Sequence, residues 1–510
     1  MRMGKNLLAG FANSIWTAVV TLAVVPLYIH YLGIESYGLV GFYATTQALF
    51  LILDLGLAPT MNREVARCSA TGSMHDARFL LRTLAVLYWG MAVCIALVLS
   101  LLAPLISSHW LQTINLTPET VMHAVMLMGV AIACRWPIGL YQGVLMGAQR
   151  LAISSGINMA MITLANFGAI GILAWVSPSI QAFFLWHAGV SLLHALIIRR
   201  AAWDLVGRSA DANFSLQELK HVWYFSAGMS GVAIAALVLT QLDKLILSRI
   251  TNLEDFGRYT LAGVVASALY VLTTPVFNAI FPYFTILVKK SDQEQLTRYY
   301  RMGTFTFSTI IFPLACAIAF FSQDLIYVWT GNTELAALAA PIAGLLVVGT
   351  AINGVMHFPY SLQLAYGMAW LPLAISLILI ILLVPLIILL VMSYGVIGGA
   401  AAWLALNGMY LLLGTWLTHR YLLKGIGLDW LLHDVCYPFI VSLSVMAVGK
   451  AFLPTLGGWG EHLYFRILLA AALSCLTIIV IMLFSPGLRN WIGSYFQKHK
   501  YDPSTGASRP

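Results

Sequence analysis

Long apolar runs, separated by short polar breaks, fill the chain from about residue 7 to about residue 485. A helix needs about 20 apolar residues to cross a bilayer, and by that rule the chain contains about 14 spans. They lie at roughly 7–31, 39–61, 84–106, 121–147, 152–176, 180–198, 223–248, 258–288, 303–321, 336–362, 368–392, 396–418, 434–453 and 463–485. The pattern predicts an all-α polytopic membrane protein.

Composition supports this fold class, because 60% of the residues are hydrophobic and only 9% are charged. A soluble domain carries roughly a quarter charged residues. The first apolar segment follows Arg2 and Lys5 but is too long for a signal peptide, so we interpret it as an uncleaved span. The six cysteines are scattered without CxxC spacing, which argues against a disulfide framework or a metal site.

The basic residues are unevenly placed along the chain. Most of the 27 lysines and arginines fall in every second polar break, counted from the N-terminus. The positive-inside rule then predicts that both termini are cytoplasmic. The net charge of +8 is therefore a sign of topology and does not indicate nucleic-acid binding.

The breaks also divide the chain into predicted parts. The longest inner connections include 199–222, where the stretch 214–223 has the pattern of an amphipathic surface helix. The predicted organisation is an N-terminal six-helix bundle at 1–198, a cytoplasmic linker at 199–222, a C-terminal six-helix bundle at 223–424, two additional helices at 425–485 and a disordered cytoplasmic tail at 486–510.

Two polar turns suggest an internal repeat. At an offset of 219 residues, Glu35 corresponds to Glu254 and Gly38 corresponds to Gly257. Both turns are predicted to lie outside and to join the first two spans of a six-span block. An even number of spans per block gives repeats that are parallel in the membrane, as in known transporters. Chance similarity of two short polar turns is the alternative.

Several motifs resemble one family when they are taken in order. They are Leu32-Gly33-x-Glu35-x-Tyr37-Gly38-Leu39, Asp54-Leu55-Gly56-Leu57 with Arg63 downstream, Asp243-Lys244-Leu245-Ile246-Leu247, Phe256-Gly257-x-Tyr259-x-Leu261-Ala262 and Tyr394-Gly395-Val396-Ile397-Gly398-Gly399. Together they resemble the polysaccharide/oligosaccharide (O-antigen-type) flippases of the multidrug/oligosaccharidyl-lipid/polysaccharide exporter superfamily.

The resemblance implies two six-helix bundles around a central cavity in the bacterial cytoplasmic membrane. It also implies alternating access and a polyprenyl-diphosphate-linked oligosaccharide as cargo, moved from the inner to the outer leaflet. Polysaccharide polymerase and glycosyltransferases are the expected partners. Many members have twelve spans, so the C-terminal helix pair is a departure. In related peptidoglycan-precursor flippases such a pair forms a lipid groove, and its role here is open.

Arg135 is the deepest basic residue, near the middle of the span 121–147. An anionic diphosphate needs basic donors, and a charge inside the membrane is functional by default. Gln142 falls on the same helical face, and Pro137 is expected to kink the helix beside them. The alternative is an arginine paired structurally with Asp54 or with a backbone carbonyl.

Other charged and amide side chains extend the predicted site. Asp54 either pairs with Arg135 or Arg63 or takes a coupling proton or cation. Lys244 continues a polar stripe through Gln241, whereas Asp243 points elsewhere and is a candidate partner of Arg249 or Arg258. Snorkelling at the outer interface is the alternative for both charges. With Asn278 from another polar stripe, the candidate substrate-binding residues are Arg135, Lys244, Asp54, Asp243, Gln142, Gln241, Arg63 and Asn278.

The motifs that are missing narrow the function. No GxxxxGK[ST], HExxH or GxSxG sequence occurs, so we expect neither ATP hydrolysis nor enzymatic catalysis and no cofactor. Energy would come from an ion gradient (H+ or Na+), the membrane potential or consumption of the sugar-lipid. One alternative is a drug/cation antiporter of the same superfamily, which prefers a cavity dominated by carboxylates. A membrane polysaccharide polymerase or ligase is the second, although it usually needs a large outer loop.

Overall fold

The computed structural model describes residues 2–71, 74–207, 216–456 and 462–483. These ranges are built from helices, and the backbone pairing between Gln112 and Asn252 is an isolated bridge rather than a strand. The predicted all-α fold class is confirmed.

Eighteen α-helices lie in these ranges and are numbered in chain order. They are α1 (Arg2–Phe50), α2 (Leu57–Thr71), α3 (His75–Leu105), α4 (Pro118–Arg135), α5 (Ile138–Gly147), α6 (Leu151–Trp175), α7 (Ile180–Val206), α8 (Leu216–Ile250), α9 (Leu253–Ser267), α10 (Tyr270–Lys289), α11 (Gln293–Phe320), α12 (Ser322–Thr330), α13 (Thr333–Val355), α14 (His357–Ala365), α15 (Trp370–Tyr421), α16 (Gly427–Asp429), α17 (Tyr437–Phe452) and α18 (Leu463–Leu483). Short 3-10 turns cover Leu51–Asp54 and Leu453–Leu456, and π-helical turns cover Ile106–Trp110 and Trp430–Cys436.

Within the described residues, eleven segments are long and apolar enough to cross a membrane. Two of them, Leu8–Asp54 and Trp370–Tyr421, each cover two predicted spans. Both contain a glycine with non-helical geometry at the predicted break: Gly33 has φ 79° and ψ 163°, and Gly395 has φ 58° and ψ −137°. Only glycine takes such angles at low cost. The count of 14 spans stays a prediction.

Three predicted spans contain breaks that the hydrophobic pattern did not show. The span 39–61 is interrupted because Leu55 (φ 47°) and Gly56 (φ 77°) take left-handed conformations between the 3-10 turn and α2. The span 258–288 breaks between α9 and α10, and the span 336–362 breaks at Met356 between α13 and α14. A continuous apolar run therefore indicates a segment within the membrane, but the segment can consist of two helices with a break between them.

The helices fold into two compact units. Unit 1 comprises Met1–Val271 and Ala369–Leu406, and unit 2 comprises Leu272–Met368 and Asn407–Pro510. The core of unit 1 contains fully buried apolar side chains from successive helices, such as Leu39 of α1, Met61 of α2 and Val125 of α4.

In unit 2 the two additional C-terminal helices pack on α11. Met446 of α17 and Ala470 of α18 form one buried cluster with Cys316 and Ala317 of α11. An ion pair supports this packing. Nε of Arg301 on α11 donates to Oδ2 of Asp434 at 2.8 Å, and Asp434 lies in the π-helical turn that precedes α17. The helix pair is therefore integrated into unit 2.

The predicted linker and tail are only partly described. Helix α7 extends to Val206, beyond the predicted end of its span, and residues 208–215 lie outside the described residues. From Leu216 the chain continues as one helix to Ile250, so the second part of the stretch 214–223 is continuous with the following span. The predicted tail 486–510 also lies outside the described residues, and the domain boundaries stay a prediction.

Candidate functional site

Unit 1 contains a cavity of about 420 Å³ between α1, the turn after it, α4, α5, α6 and α7. Its lining is Asn13, Gln47, Leu51, Asp54, Ile132, Arg135, Trp136, Ile138, Gly139, Gln142, Met146, Leu151, Ser154, Ser155, Asn158 and His194. Three of the predicted site residues, Arg135, Asp54 and Gln142, therefore share one cavity.

Arg135 reaches the cavity from a helix end. Helix α4 stops at Arg135, and α5 starts at Ile138 after Trp136 and Pro137. Proline lacks an N–H donor and its ring clashes with the preceding turn, which explains the predicted interruption at this place. The side chain of Arg135 is exposed to the cavity rather than packed in the core.

The guanidinium group of Arg135 has aromatic side chains as neighbours. Its electrostatic neighbours are the phenol of Tyr43 and the imidazoles of His187 and His194. Among the described residues, no carboxylate forms an ion pair with Arg135. Its positive charge is thus available to an anion in a site where the dielectric constant is lower than in water.

Asp54 lines the same cavity but has a partner of its own. It sits at the end of the 3-10 turn, where its carboxylate accepts a hydrogen bond from the hydroxyl group of Tyr88 and one from the backbone N–H of Ala58 at 3.4 Å. Of the alternatives left open for Asp54, an ion pair with Arg135 is not observed among the described residues. The two charges face one cavity without neutralising each other.

Amide and hydroxyl groups complete the lining. The Nδ2 atom of Asn158 donates to Oδ1 of Asn13 at 2.7 Å, which joins α6 to α1. Gln142 stands one turn after Gly139 on α5, and Ser154 and Gln47 add further polar groups. Such groups hydrogen-bond to hydroxyls and phosphate oxygens alike.

Asp243, Lys244 and Gln241 on α8 are not among the residues that line this cavity. Asp243 is buried and accepts a hydrogen bond from the hydroxyl group of Tyr259 at 2.5 Å. The Nζ atom of Lys244 donates to the backbone carbonyl of Thr240 at 2.8 Å and lies 3.8 Å from Oδ1 of Asp243. The bond from Tyr259 joins α9 to α8, whereas both contacts of Lys244 lie within α8.

Neither candidate partner of Asp243, Arg249 or Arg258, forms an ion pair with it among the described residues. Arg258 forms ion pairs with Glu254 and Asp255 on its own helix, so it does not pair with Asp243. Arg258 pairs with Glu254 and Asp255 because residues three and four positions apart are neighbours on a helix surface.

The two remaining candidates lie elsewhere. Arg63 is exposed on α2 and does not line the cavity. Asn278 is exposed on the part of α10 that belongs to unit 2. Within unit 1, Arg63 therefore does not join the group around Arg135.

A family match covers the cavity and its surroundings. Residues 3–288, more than half of the chain, match the family model described as polysaccharide biosynthesis protein. The chain belongs to this family. The resemblance expected from the motifs is thereby confirmed.

One curated relative is the succinoglycan biosynthesis transport protein ExoT of Rhizobium meliloti (strain 1021). It is 26% identical over 265 residues, which are 46% of this chain and 53% of ExoT. The chain thus spans about half the length of the curated relative that it matches.

Solved structures share the fold at low identity. The lipid II flippase MurJ in an inward closed conformation gives a TM-score of 0.69 at 12% identity, covering 94% of this chain and 98% of MurJ. An inward-facing multidrug resistance MATE family transporter of the MOP superfamily gives 0.64 at 13% identity, covering 79% of this chain and 95% of that one. This family member therefore has the fold of the MOP superfamily.

Tyr88 and His194 belong to the site although the sequence did not predict them there. Tyr88 lies in an unbroken apolar run of α3, so nothing in the pattern marked it as the partner of Asp54. His194 was not among the candidate residues, yet it lines the cavity with Arg135. His194 and Arg135 lie in the same predicted six-helix bundle, which is a weak indication that they share a site. Sequence spacing does not reveal which helices contact each other.

Proposed function

We propose that the chain is a flippase that moves a polyprenyl-diphosphate-linked oligosaccharide from the inner to the outer leaflet of the bacterial cytoplasmic membrane by alternating access, for surface polysaccharide biosynthesis. Family membership supports a role in polysaccharide biosynthesis. The observation that carries the substrate class is Arg135, a cavity-facing guanidinium group without an ion-pair partner among the described residues.

The chemistry of the lining suits the headgroup of such a lipid. A guanidinium group binds diphosphate oxygens through charge-assisted hydrogen bonds. The amides of Asn13, Asn158 and Gln142 offer donors and acceptors for the sugar next to the diphosphate. The cavity volume of about 420 Å³ lies within the usual range for small-molecule sites, so it suits a headgroup portion, and a longer oligosaccharide requires the cavity to widen.

The alternative of a drug/cation antiporter is favoured less by the same lining. Asp54 is the carboxylate that such an exchanger would use, and Tyr88 already occupies it as a hydrogen-bond donor. The positive charge of Arg135 in the same cavity would also repel a cationic drug. The third possibility, a polymerase or ligase, can be distinguished from a flippase because it would form a longer glycan product.

A reconstitution experiment distinguishes the three functions. The purified chain is placed in vesicles with a fluorescent polyprenyl-diphosphate disaccharide, and an impermeant quencher reports the fraction in the outer leaflet. A flippase raises the quenched fraction beyond that of empty vesicles and leaves the lipid chemically unchanged. Longer glycan products would instead identify a polymerase. Failure to move the lipid, combined with proton-driven export of a cationic dye, would identify the antiporter and overturn the proposal.

In cells, we expect deletion of the protein to accumulate lipid-linked repeat units on the inner face of the membrane. Unpolymerised units on the outer face would contradict the flippase. Both termini are proposed to be cytoplasmic, in line with the charge distribution. The polymerase and the glycosyltransferases of the same glycan are the proposed functional partners.

A further inference from the structure

The two turns that resemble each other in sequence touch each other in unit 1. A Cβ atom built on Gly38 would lie 2.2 Å from the carbonyl oxygen of Leu253, and one built on Gly257 would lie 2.3 Å from the carbonyl oxygen of Ile34. At the 219-residue offset, Ile34 corresponds to Leu253 and Gly38 corresponds to Gly257. The contacts are therefore reciprocal, as in a two-fold interface.

The symmetry continues along the two helices. A Cβ atom on Gly41 of α1 would lie 2.1 Å from Oγ1 and 2.9 Å from Cβ of Thr260 on α9. Gly41 and Thr260 correspond at the same offset, so each repeat contacts the equivalent position of the other. Small residues allow helix backbones to approach this closely. We call this contact of α1 and α9, from Ile34 to Gly41 and from Leu253 to Thr260, the repeat joint.

A segment outside the two matching turns binds to one side of the joint. Residues 110–115, which precede α4, are called the strap. The backbone N–H of Leu253 donates to the carbonyl oxygen of Gln112 at 2.8 Å, and Nε1 of Trp110 donates to Oγ of Ser248 at 3.0 Å. The strap thus holds the α8–α9 turn from the second repeat.

Glu35 holds the strap from the first repeat. Its carboxylate is buried and accepts hydrogen bonds from the backbone N–H groups of Ile114 at 2.6 Å and Asn115 at 3.0 Å. The repeat-equivalent Glu254 does something different, because it forms an ion pair with Arg258. The joint is symmetric in its backbone contacts, and the strap makes it asymmetric.

We propose that the strap is a lock on the repeat joint, and that Glu35 must release it before the two turns can separate. The lock joins the two repeats through hydrogen bonds to both, whereas the glycine contacts alone offer only close packing. Its place at the turns predicted to face outside assigns it to closure of the outer exit. This assignment of a transport step rests on the proposed function.

The opening of the joint can be measured without any cargo. The reporter is Thr260→Cys, half-buried against Gly41, in a chain whose six native cysteines are replaced. Its rate of reaction with an impermeant methanethiosulfonate reports how often the joint opens. Glu35→Ala should raise this rate about tenfold, since two buried backbone donors lose a charged acceptor.

The matched control is Glu254→Ala, which removes the equivalent carboxylate but no strap contact, and it should leave the rate within about twofold. Glu35→Gln keeps one acceptor oxygen and should raise the labelling rate less than Glu35→Ala does. It replaces the alanine variant in this test if that variant does not fold. Equal rates in the Glu35 and Glu254 variants would overturn the lock.

A crosslink tests the need for separation. Gly41→Cys with Thr260→Cys places two thiols across the joint. The Cβ separation of 2.9 Å is shorter than the roughly 3.5–4.5 Å of a disulfide, so the two helices must move apart slightly for the bond to form. The oxidised double variant should lose lipid transport and regain it on reduction, and the reduced double variant is the reference for both measurements. Full transport by the oxidised protein would refute separation of the turns. If wild-type protein moves no lipid but Glu35→Ala still raises labelling, the lock stands and the flippase proposal fails.

Discussion

The hydroxyl group of Tyr88 on α3 donates a hydrogen bond to the carboxylate of Asp54, which lies 34 positions earlier in the 3-10 turn after α1. Tyr88 is almost fully buried, whereas Asp54 also faces the cavity. The contact fixes the turn at Leu55 and Gly56 against α3. It also gives the Asp54 carboxylate a partner other than Arg135, which forms no ion pair among the described residues.

Tyr88→Phe should therefore destabilise the protein. A hydrogen bond to a charged group contributes about 1.5–3 kcal/mol, and we expect a loss of that order in the free energy of unfolding measured by denaturant titration in detergent. Tyr141→Phe is the matched control, because the Tyr141 hydroxyl accepts a bond of 3.2 Å from the neutral indole of Trp89. Equal losses in both variants would contradict a special role of the Asp54 contact.

Arg135 should be required for transport but not for folding. Arg135→Gln removes the charge and is expected to lower the rate of lipid transport at least about tenfold, because a desolvated charge-assisted contact is lost. Arg135→Lys keeps the positive charge but loses the planar guanidinium group that binds two phosphate oxygens at once, so it should retain part of the transport rate. The control is Arg200→Gln on α7, whose side chain is 78% exposed. Unchanged transport by Arg135→Gln in properly inserted protein would remove Arg135 from the site.

The spacing of Arg135 and Gln142 within one span was enough to predict that both face the same cavity. Helical periodicity is a local property, and the kink at Pro137 is local too. The partners of Asp54 and Asp243 were not predictable in this way, because Tyr88 and Tyr259 reach them from other helices. Lys244 was placed on a cavity stripe by periodicity, yet its ammonium group turns back to the carbonyl of its own helix at Thr240.

Two glycines of α5 should respond oppositely to alanine. A Cβ atom on Gly147 would lie 2.3 Å from the backbone oxygen of Asn62, whereas one on Gly139 would meet nothing within 4 Å. Gly147→Ala must move α5 away from α2, which costs about 1–3 kcal/mol. Gly139→Ala should be neutral or stabilise the helix by up to about 1 kcal/mol. Thermal unfolding in detergent measures both, and similar midpoints would show that α5 and α2 do not pack this closely.

The ion pair of Arg301 with Asp434 should hold the additional helices on α11. Asp434 is 9% exposed at its side chain and binds the guanidinium group through two contacts, at 2.8 and 3.4 Å. Asp434→Asn removes the negative charge beside a partly buried arginine, and we expect a loss of about 2–3 kcal/mol. Asp429→Asn is the control, since that side chain is 64% exposed and its surface pair contributes less than about 1 kcal/mol.

The native thiol of Cys316 reports this packing directly. It is fully buried in a cluster with Met446 of α17 and Ala470 of α18, so it becomes reactive only when those helices leave α11. Peptide-resolved maleimide labelling should therefore increase at Cys316 in Asp434→Asn and stay at the wild-type level in Asp429→Asn. If Cys316 stays protected in Asp434→Asn, apolar packing alone holds the helix pair, because the remaining contacts of the cluster do not depend on charge.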